Sequence, residues 1–129
     1  MSKHVILCVD DEPGILKSLD RCLTLDNYEV IQAPGGDEAL RILEERSGQV
    51  SLIIVDQRMP TMMGDEFLKK VRVKYGPIKA IMLSGYADFA GLVSAVNEGQ
   101  IFHLIQKPWD NKELLKIVRT TIFPEQTGS

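Results

Sequence analysis

The sequence predicts an α/β fold: a five-stranded parallel sheet, doubly wound, with helices on both faces. Two observations carry that expectation. Short apolar runs rich in β-branched residues recur five times along the 129 residues, and a segment with helical apolar spacing follows each of them. Strict alternation of strand and helix implies parallel pairing, because each right-handed crossover lays its helix back on the sheet. The length fits one domain with its own core, and no internal repeat or low-complexity segment interrupts the pattern.

Residues 5–9 form the first expected strand. The helix after it carries Ile15, Leu19, Cys22 and Leu23 on one face, with Pro13 in its first turn, where a missing N–H does no harm. Strand two, residues 28–33, is polar enough for a sheet edge. Helix two opens at Asp37 after Gly35-Gly36, buries Ala39, Leu40 and Leu43, and stops near Gly48. Strand three, residues 50–55, reads Leu-Ile-Ile-Val without alternation, as a central strand covered on both sides should. Helix three groups Phe67, Leu68, Val71 and Tyr75 and ends before the breaker Gly76-Pro77. Strand four covers residues 78–83. Helix four presents Phe89, Leu92, Val93 and Val96 and ends near Gly99. Strand five covers residues 101–105. Helix five starts at Asp110 or Asn111, buries Leu114, Ile117 and Val118, and is stopped by Pro124. Residues 125–129 are expected to fray or begin a linker.

A net charge of -3 lacks the basic surplus of a module that grips nucleic acid, so no direct nucleic-acid binding is expected. Cys8 and Cys22 sit in apolar-periodic segments, where reduced cysteine behaves as a small hydrophobe; this favours a reducing, cytoplasmic setting. The apolar run before Asp10 is too short for a signal peptide, and no stretch approaches the ~18 apolar residues of a membrane span.

The chemistry lies where the strands end. Strand one ends in Asp10-Asp11, strand three in Asp56, strand four in Ser84-Gly85 and strand five in Lys107-Pro108. In an open parallel sheet these positions share the carboxyl edge, where ligands bind. Taken singly, each has an ordinary structural explanation: an aspartate capping a helix, a serine capping a turn, a solvated lysine. Their joint occurrence at four strand ends is what points to a site. Two unit charges ~4 Å apart at an effective dielectric of ~20 interact by about 4 kcal/mol, so three clustered carboxylates call for a cation. Magnesium, a hard ion satisfied by one or two carboxylates plus waters, suits Asp10, Asp11 and Asp56. A carboxylate beside that ion can attack phosphorus to form an aspartyl phosphate, with a lysine offsetting charge on the transferring oxygens. Lys107 fits as that point charge, and Ser84 offers a hydroxyl to a phosphoryl oxygen.

The motifs ILCVDDEP, IIVDQRMP, MLSGYAD and IQKPW resemble those of bacterial two-component response-regulator receiver domains, and the likeness covers residues 3–123. It implies a flavodoxin-like (βα)5 fold with strand order 2-1-3-4-5, spanning residues 1–124. It also implies that Asp56 is the phosphoacceptor, Asp11 a direct Mg2+ ligand, Asp10 a ligand through water, and the main-chain carbonyl of Arg58 a further ligand. Lys107 would contact the phosphoryl group, Ser84 would be the switch hydroxyl, the Lys107-Pro108 bond would be cis, and Met59-Pro60 would belong to the loop after the acceptor. The implied donor is a sensor histidine kinase or a phosphotransfer protein. The implied output is control of an output domain or protein partner, or homodimer formation, with no membrane contact. SGYAD and KPWD are similar to receivers fused to signalling or transcriptional domains.

One position departs from the pattern. Family members often carry Tyr or Phe three residues before the lysine, and here that residue is Leu104; neither Phe102 nor His103 replaces it. Arg58 and Tyr86, two residues beyond the acceptor and the switch serine, border the phosphoryl group in this family and would shield it. His4 and His103 lack metal-ligand spacing, Trp109 is expected to pack after Pro108, and Lys69, Lys70, Arg72 and Lys74 read as a solvated helix face.

Two other functions compete. A magnesium phosphohydrolase of the haloacid-dehalogenase type would need a second aspartate two residues after its nucleophile, and Asp10 is followed there by Glu12. An interaction module that has lost phosphorylation would not need to retain all of these residues. Flavin or nucleotide binding is disfavoured, since GxxxxGK[ST] and GxGxxG are both absent.

Overall fold

The computed structural model describes residues 3–98 and 101–124. Five strands, β1 (Val5–Val9), β2 (Glu29–Ala33), β3 (Val50–Asp56), β4 (Ala80–Ser84) and β5 (His103–Gln106), alternate with α1 (Pro13–Leu25), α2 (Gly36–Arg46), α3 (Gly64–Tyr75), α4 (Tyr86–Asn97) and α5 (Asn111–Ile122). The strands form one parallel sheet in the order β2-β1-β3-β4-β5, as the family resemblance implies. That order sets β1 directly beside β3, with Val9 opposite Val55, so the residues following both strands emerge together.

The pleat divides the core in two. Leu7, Val9, Ile53, Val55 and Met82 face Ala39 and Leu43 of α2 and Phe67, Leu68 and Val71 of α3; Ile6, Cys8, Leu52, Ile54, Ile81, Leu83 and Ile105 face Leu16, Leu19 and Leu23 of α1 and Leu114 and Val118 of α5. Continuous burial along β1, β3 and β4 explains why those strands show no alternation. β2 is exposed at Glu29 and Gln32, as an edge strand should be.

Several details of burial and element boundaries differ from expectation. Leu16 takes the buried place on α1 and Ile15 lies half-buried beside it. Leu40 and Ile117 are likewise half-buried. A short 3-10 turn, Ser47–Gln49, bridges α2 to β3. Phe102 precedes β5 and is 50% exposed. The largest departure is α4: only Leu92 is buried, Phe89 and Val96 are half-buried, and Val93 is exposed. Small and apolar residues surround this helix nearly evenly, so no single stripe selects its inward face. Gly99 and residues 125–129, where the end of α4 and a fraying tail were expected, lie outside the described residues.

Candidate functional site

Backbone hydrogen bonds draw the strand ends together before any side chain is considered. Asp10 N donates to Ala33 O at 3.1 Å, Gln57 N to Leu83 O at 3.1 Å, and Lys107 N to Ser84 O at 2.8 Å. Asp10, Asp56, Ser84 and Lys107 therefore open on one rim, as the strand-end pattern predicts. Asp10 and Ser84 are fully buried and Asp56 nearly so, whereas Asp11 and Arg58 are exposed.

The Lys107 ammonium bridges two of the carboxylates, 3.0 Å from Asp56 Oδ1 and 3.3 Å from Asp10 Oδ2. The other oxygen of Asp10, Oδ1, accepts the Glu12 backbone N–H at 2.9 Å. One lysine cannot balance this much negative charge. Burial pushes the Asp10 carboxyl up to about 6, and the Asp56 charge adds to the rise despite the Glu12 N–H and Lys107. Burial raises Asp56 as well, opposed by the hydrogen bond and charge of Lys107 and assisted by Asp11 and Glu12. For Lys107 burial pulls the pKa down, but the hydrogen bond to Asp56 and the Asp10 and Asp56 charges outweigh it and the net shift is upward.

One oxygen from each of Asp10, Asp11 and Asp56 lies within 4.8 Å of the others. That span approaches the ~4 Å between opposite oxygens around a magnesium ion with its ~2.0–2.1 Å bonds. Hard oxygen donors, excess negative charge and an exposed Asp11 together fit a divalent cation. Asp10 already uses both oxygens within the protein, leaving Asp11 and Asp56 the freer donors.

Ser84 Oγ donates to the Gly85 carbonyl at 3.1 Å, so its hydroxyl turns along its own chain. Lys107-Pro108 is cis, as expected. Trp109 is half-buried beside Pro108 and its indole N–H donates to Asn111 Oδ1 at 3.0 Å. Leu104 sits opposite Met82 in the sheet and packs, half-buried, into the core on the α3 side. His4 bonds Ser51 Oγ at 2.8 Å and stacks edge-on against Phe123, away from any metal cluster. Cys8 and Cys22 are buried free thiols, and burial pushes both upward, away from reactivity. Lys69, Lys70 and Lys74 form the exposed face expected of α3, with Lys70 near Glu66 and Lys74 near Glu44.

Three contributors carried no clear signal in the sequence. The nearly buried Gln57 accepts the Asp65 N–H on Oε1 at 2.8 Å, and its carbonyl accepts the Gly64 N–H at 2.8 Å, closing the β3–α3 loop behind Asp56. Gly64 packs so closely that a Cβ there would collide with the Asp56 carbonyl oxygen. A glycine just before an apolar-periodic helix was the available hint. Asp88, in the first turn of α4, grips Arg58 from 30 residues away, with nothing local to mark the pairing.

This parallel sheet, with an acidic cluster and a lysine on its carboxyl rim, defines a doubly wound α/β domain whose site fits a divalent cation. The response regulator receiver domain model matches residues 6–119, and the chain belongs to that family. It is 38% identical over 117 residues to the hydrogenase transcriptional regulatory protein HoxA of Cupriavidus necator, covering 91% of this chain and 24% of that one. Among solved structures it resembles a response regulator receiver domain protein from Clostridium thermocellum, with a TM-score of 0.87 and 29% identity, covering 95% and 96% of the two chains. It also resembles the signal receiver domain of an HD domain-containing protein from Pseudomonas fluorescens Pf-5, with a TM-score of 0.85 and 31% identity, covering 98% and 100%. The chain spans about a quarter of the length of the curated regulator it matches at 38% identity. Receiver domains act between histidine kinases and output domains, using Mg2+ at an acidic pocket; this is a signalling family rather than a known catalytic one. Among the described residues no helix is long and apolar enough to cross a membrane.

Proposed function

We propose that Asp56 accepts a phosphoryl group from a phosphohistidine on a sensor histidine kinase or phosphotransfer protein, with Mg2+ held by Asp10, Asp11, Asp56 and the Arg58 main-chain carbonyl. The observation that carries this reading is the Lys107 ammonium 3.0 Å from Asp56 Oδ1, inside a cluster of three carboxylates. In the transfer an Asp56 oxygen forms a bond to phosphorus, the phosphorus–nitrogen bond breaks, and the imidazole leaves with its electron pair. Bound Mg2+ supplies charge neutralisation on the phosphoryl oxygens. Lys107 orients Asp56 and offsets negative charge beside it; Ser84 turns its hydroxyl from Gly85 to a phosphoryl oxygen once that acceptor exists. The chain assists its own phosphorylation and dephosphorylation and has no other substrate.

Residues 1–124 act as the receiver unit, in a cytoplasmic setting. Its output is a changed surface around α4, β5 and α5 that a fused output domain, a protein partner or a second copy reads. Incubation with acetyl phosphate and Mg2+ should add one phosphoryl group by intact mass spectrometry, and Asp56→Asn should abolish the gain. No gain in the wild type with either acetyl phosphate or a histidine kinase would replace this reading with that of a pure interaction module.

A further inference from the structure

A bidentate ion pair beside the site is left without a role by the chemistry above. Arg58 Nε donates to Asp88 Oδ2 at 2.7 Å and Nη2 to Oδ1 at 2.9 Å. This is the fork geometry that gives guanidinium–carboxylate pairs their strength and specificity. Both partners lie close to the reacting groups: Arg58 is two residues after Asp56, and Asp88 is four residues after Ser84, in the first turn of α4. The pair thus ties the loop after the acceptor to the helix after the switch serine. Its members are held unequally. The Arg58 side chain is 70% exposed and that of Asp88 only 20%, and Asp88 gains from the positive end of the α4 dipole whether or not the arginine is present. Arg58 is therefore the partner that can leave.

We propose that Arg58 is a phosphoryl-binding residue kept in reserve by Asp88: its guanidinium holds either the Asp88 carboxylate or a phosphoryl group on Asp56, not both. The inference rests on Asp56 being the phosphoacceptor. Phosphorylation places up to about two negative charges and three strong acceptor oxygens beside the loop that carries Arg58. The planar fork of arginine can pair bidentately with either carboxylate or phosphate, so one side chain exchanges partners without new machinery. Exchange unties the loop from α4, whose first turn presents Tyr86 at 85% exposure. It gives α4 a way to sense the acceptor that does not pass through Leu104. Asp88 is a positioning residue in this scheme, because it sets how much of the arginine is free.

Linkage fixes the sign of the test. A ligand's apparent Kd is its intrinsic Kd divided by the fraction of protein competent to bind it, so removing the competitor must tighten binding, and only where Arg58 is present to benefit. Beryllofluoride, a phosphoryl mimic, is titrated with Mg2+ into the wild type, Asp88→Asn, Arg58→Ala and the double variant, with bound fluoride read by fluorine NMR. Both side chains lie at the surface, and thermal melts verify that each variant folds. The expected result is that Asp88→Asn tightens binding roughly threefold or more with Arg58 present and less than ~2-fold without it, while Arg58→Ala alone weakens binding. Equal tightening by Asp88→Asn in both backgrounds would mean simple charge repulsion and would overturn the proposal, as would no effect of Asp88→Asn in either. A wild type that neither binds beryllofluoride nor gains a phosphoryl group would overturn the phosphoacceptor reading and this inference with it.

Discussion

Burial acts on Asp10 more strongly than pairing does. It is fully enclosed, hydrogen-bonded by Glu12 N and by Lys107, and its carboxyl is nevertheless raised to about 6. Lys107 is what keeps the cluster from being worse, since it reaches Asp10 and Asp56 together. Lys107→Ala should reduce the initial rate of phosphorylation by acetyl phosphate by ~10²-fold or more, the scale for losing one preorganised electrostatic contact, measured by mass spectrometry over time. It should leave the fold intact, because the side chain lies on the rim rather than in either core. These residues were legible in the sequence because each breaks an apolar run at the end of a strand. Gln57 and Asp88 were not, because the partners that give them meaning, Gly64 with Asp65 and Arg58, are reached only through the fold.

Element starts decide how accurately those residues are placed. The β3–α3 loop returns so tightly that Gly64 lies against the Asp56 carbonyl, while Gly91, exposed in α4, meets nothing within 4 Å. Gly64→Ala should therefore destabilise the protein by about 1–3 kcal/mol and slow phosphorylation by displacing Asp56, whereas Gly91→Ala should stabilise it by up to ~1 kcal/mol. Denaturant midpoints of the two variants check both signs. At α5 the start is set by Asp110, whose side chain accepts the Lys112 N–H at 3.2 Å, and Asp110→Ala should cost about 1 kcal/mol in the same measurement. Helix spacing foretold four of the five buried faces closely. It failed at α4 because Ala87, Ala90, Gly91 and Val93 are small or apolar yet exposed, so their pattern has no contrast.

Across the whole molecule, protonation, metal binding and stability are one linked equilibrium. An exposed aspartate has a pKa of ~3.9, and Asp10 in the folded, metal-free protein stands at about 6. Between those values the folded state binds more protons than the unfolded state. The contribution of Asp10 to stability therefore falls as pH rises through that window, and the raised Asp56 acts in the same direction. On the proposed reading, Mg2+ would bind the deprotonated cluster and offset the loss by mass action. The difference in melting temperature between Mg2+ and EDTA should accordingly grow from about pH 5 to about pH 7, and Asp10→Asn should flatten that growth; scanning calorimetry across the range measures it. Strand count, helix order, the central place of β3, the edge place of β2 and the polar residues at four of the strand ends all follow from the sequence, because burial period and chain-breaking residues are local properties. The meeting of Lys107 with Asp10, the inward seat of Leu104 and the grip of Asp88 on Arg58 are settled by tertiary structure alone. They depend on distances between residues far apart in the chain, and only the packed sheet defines those distances.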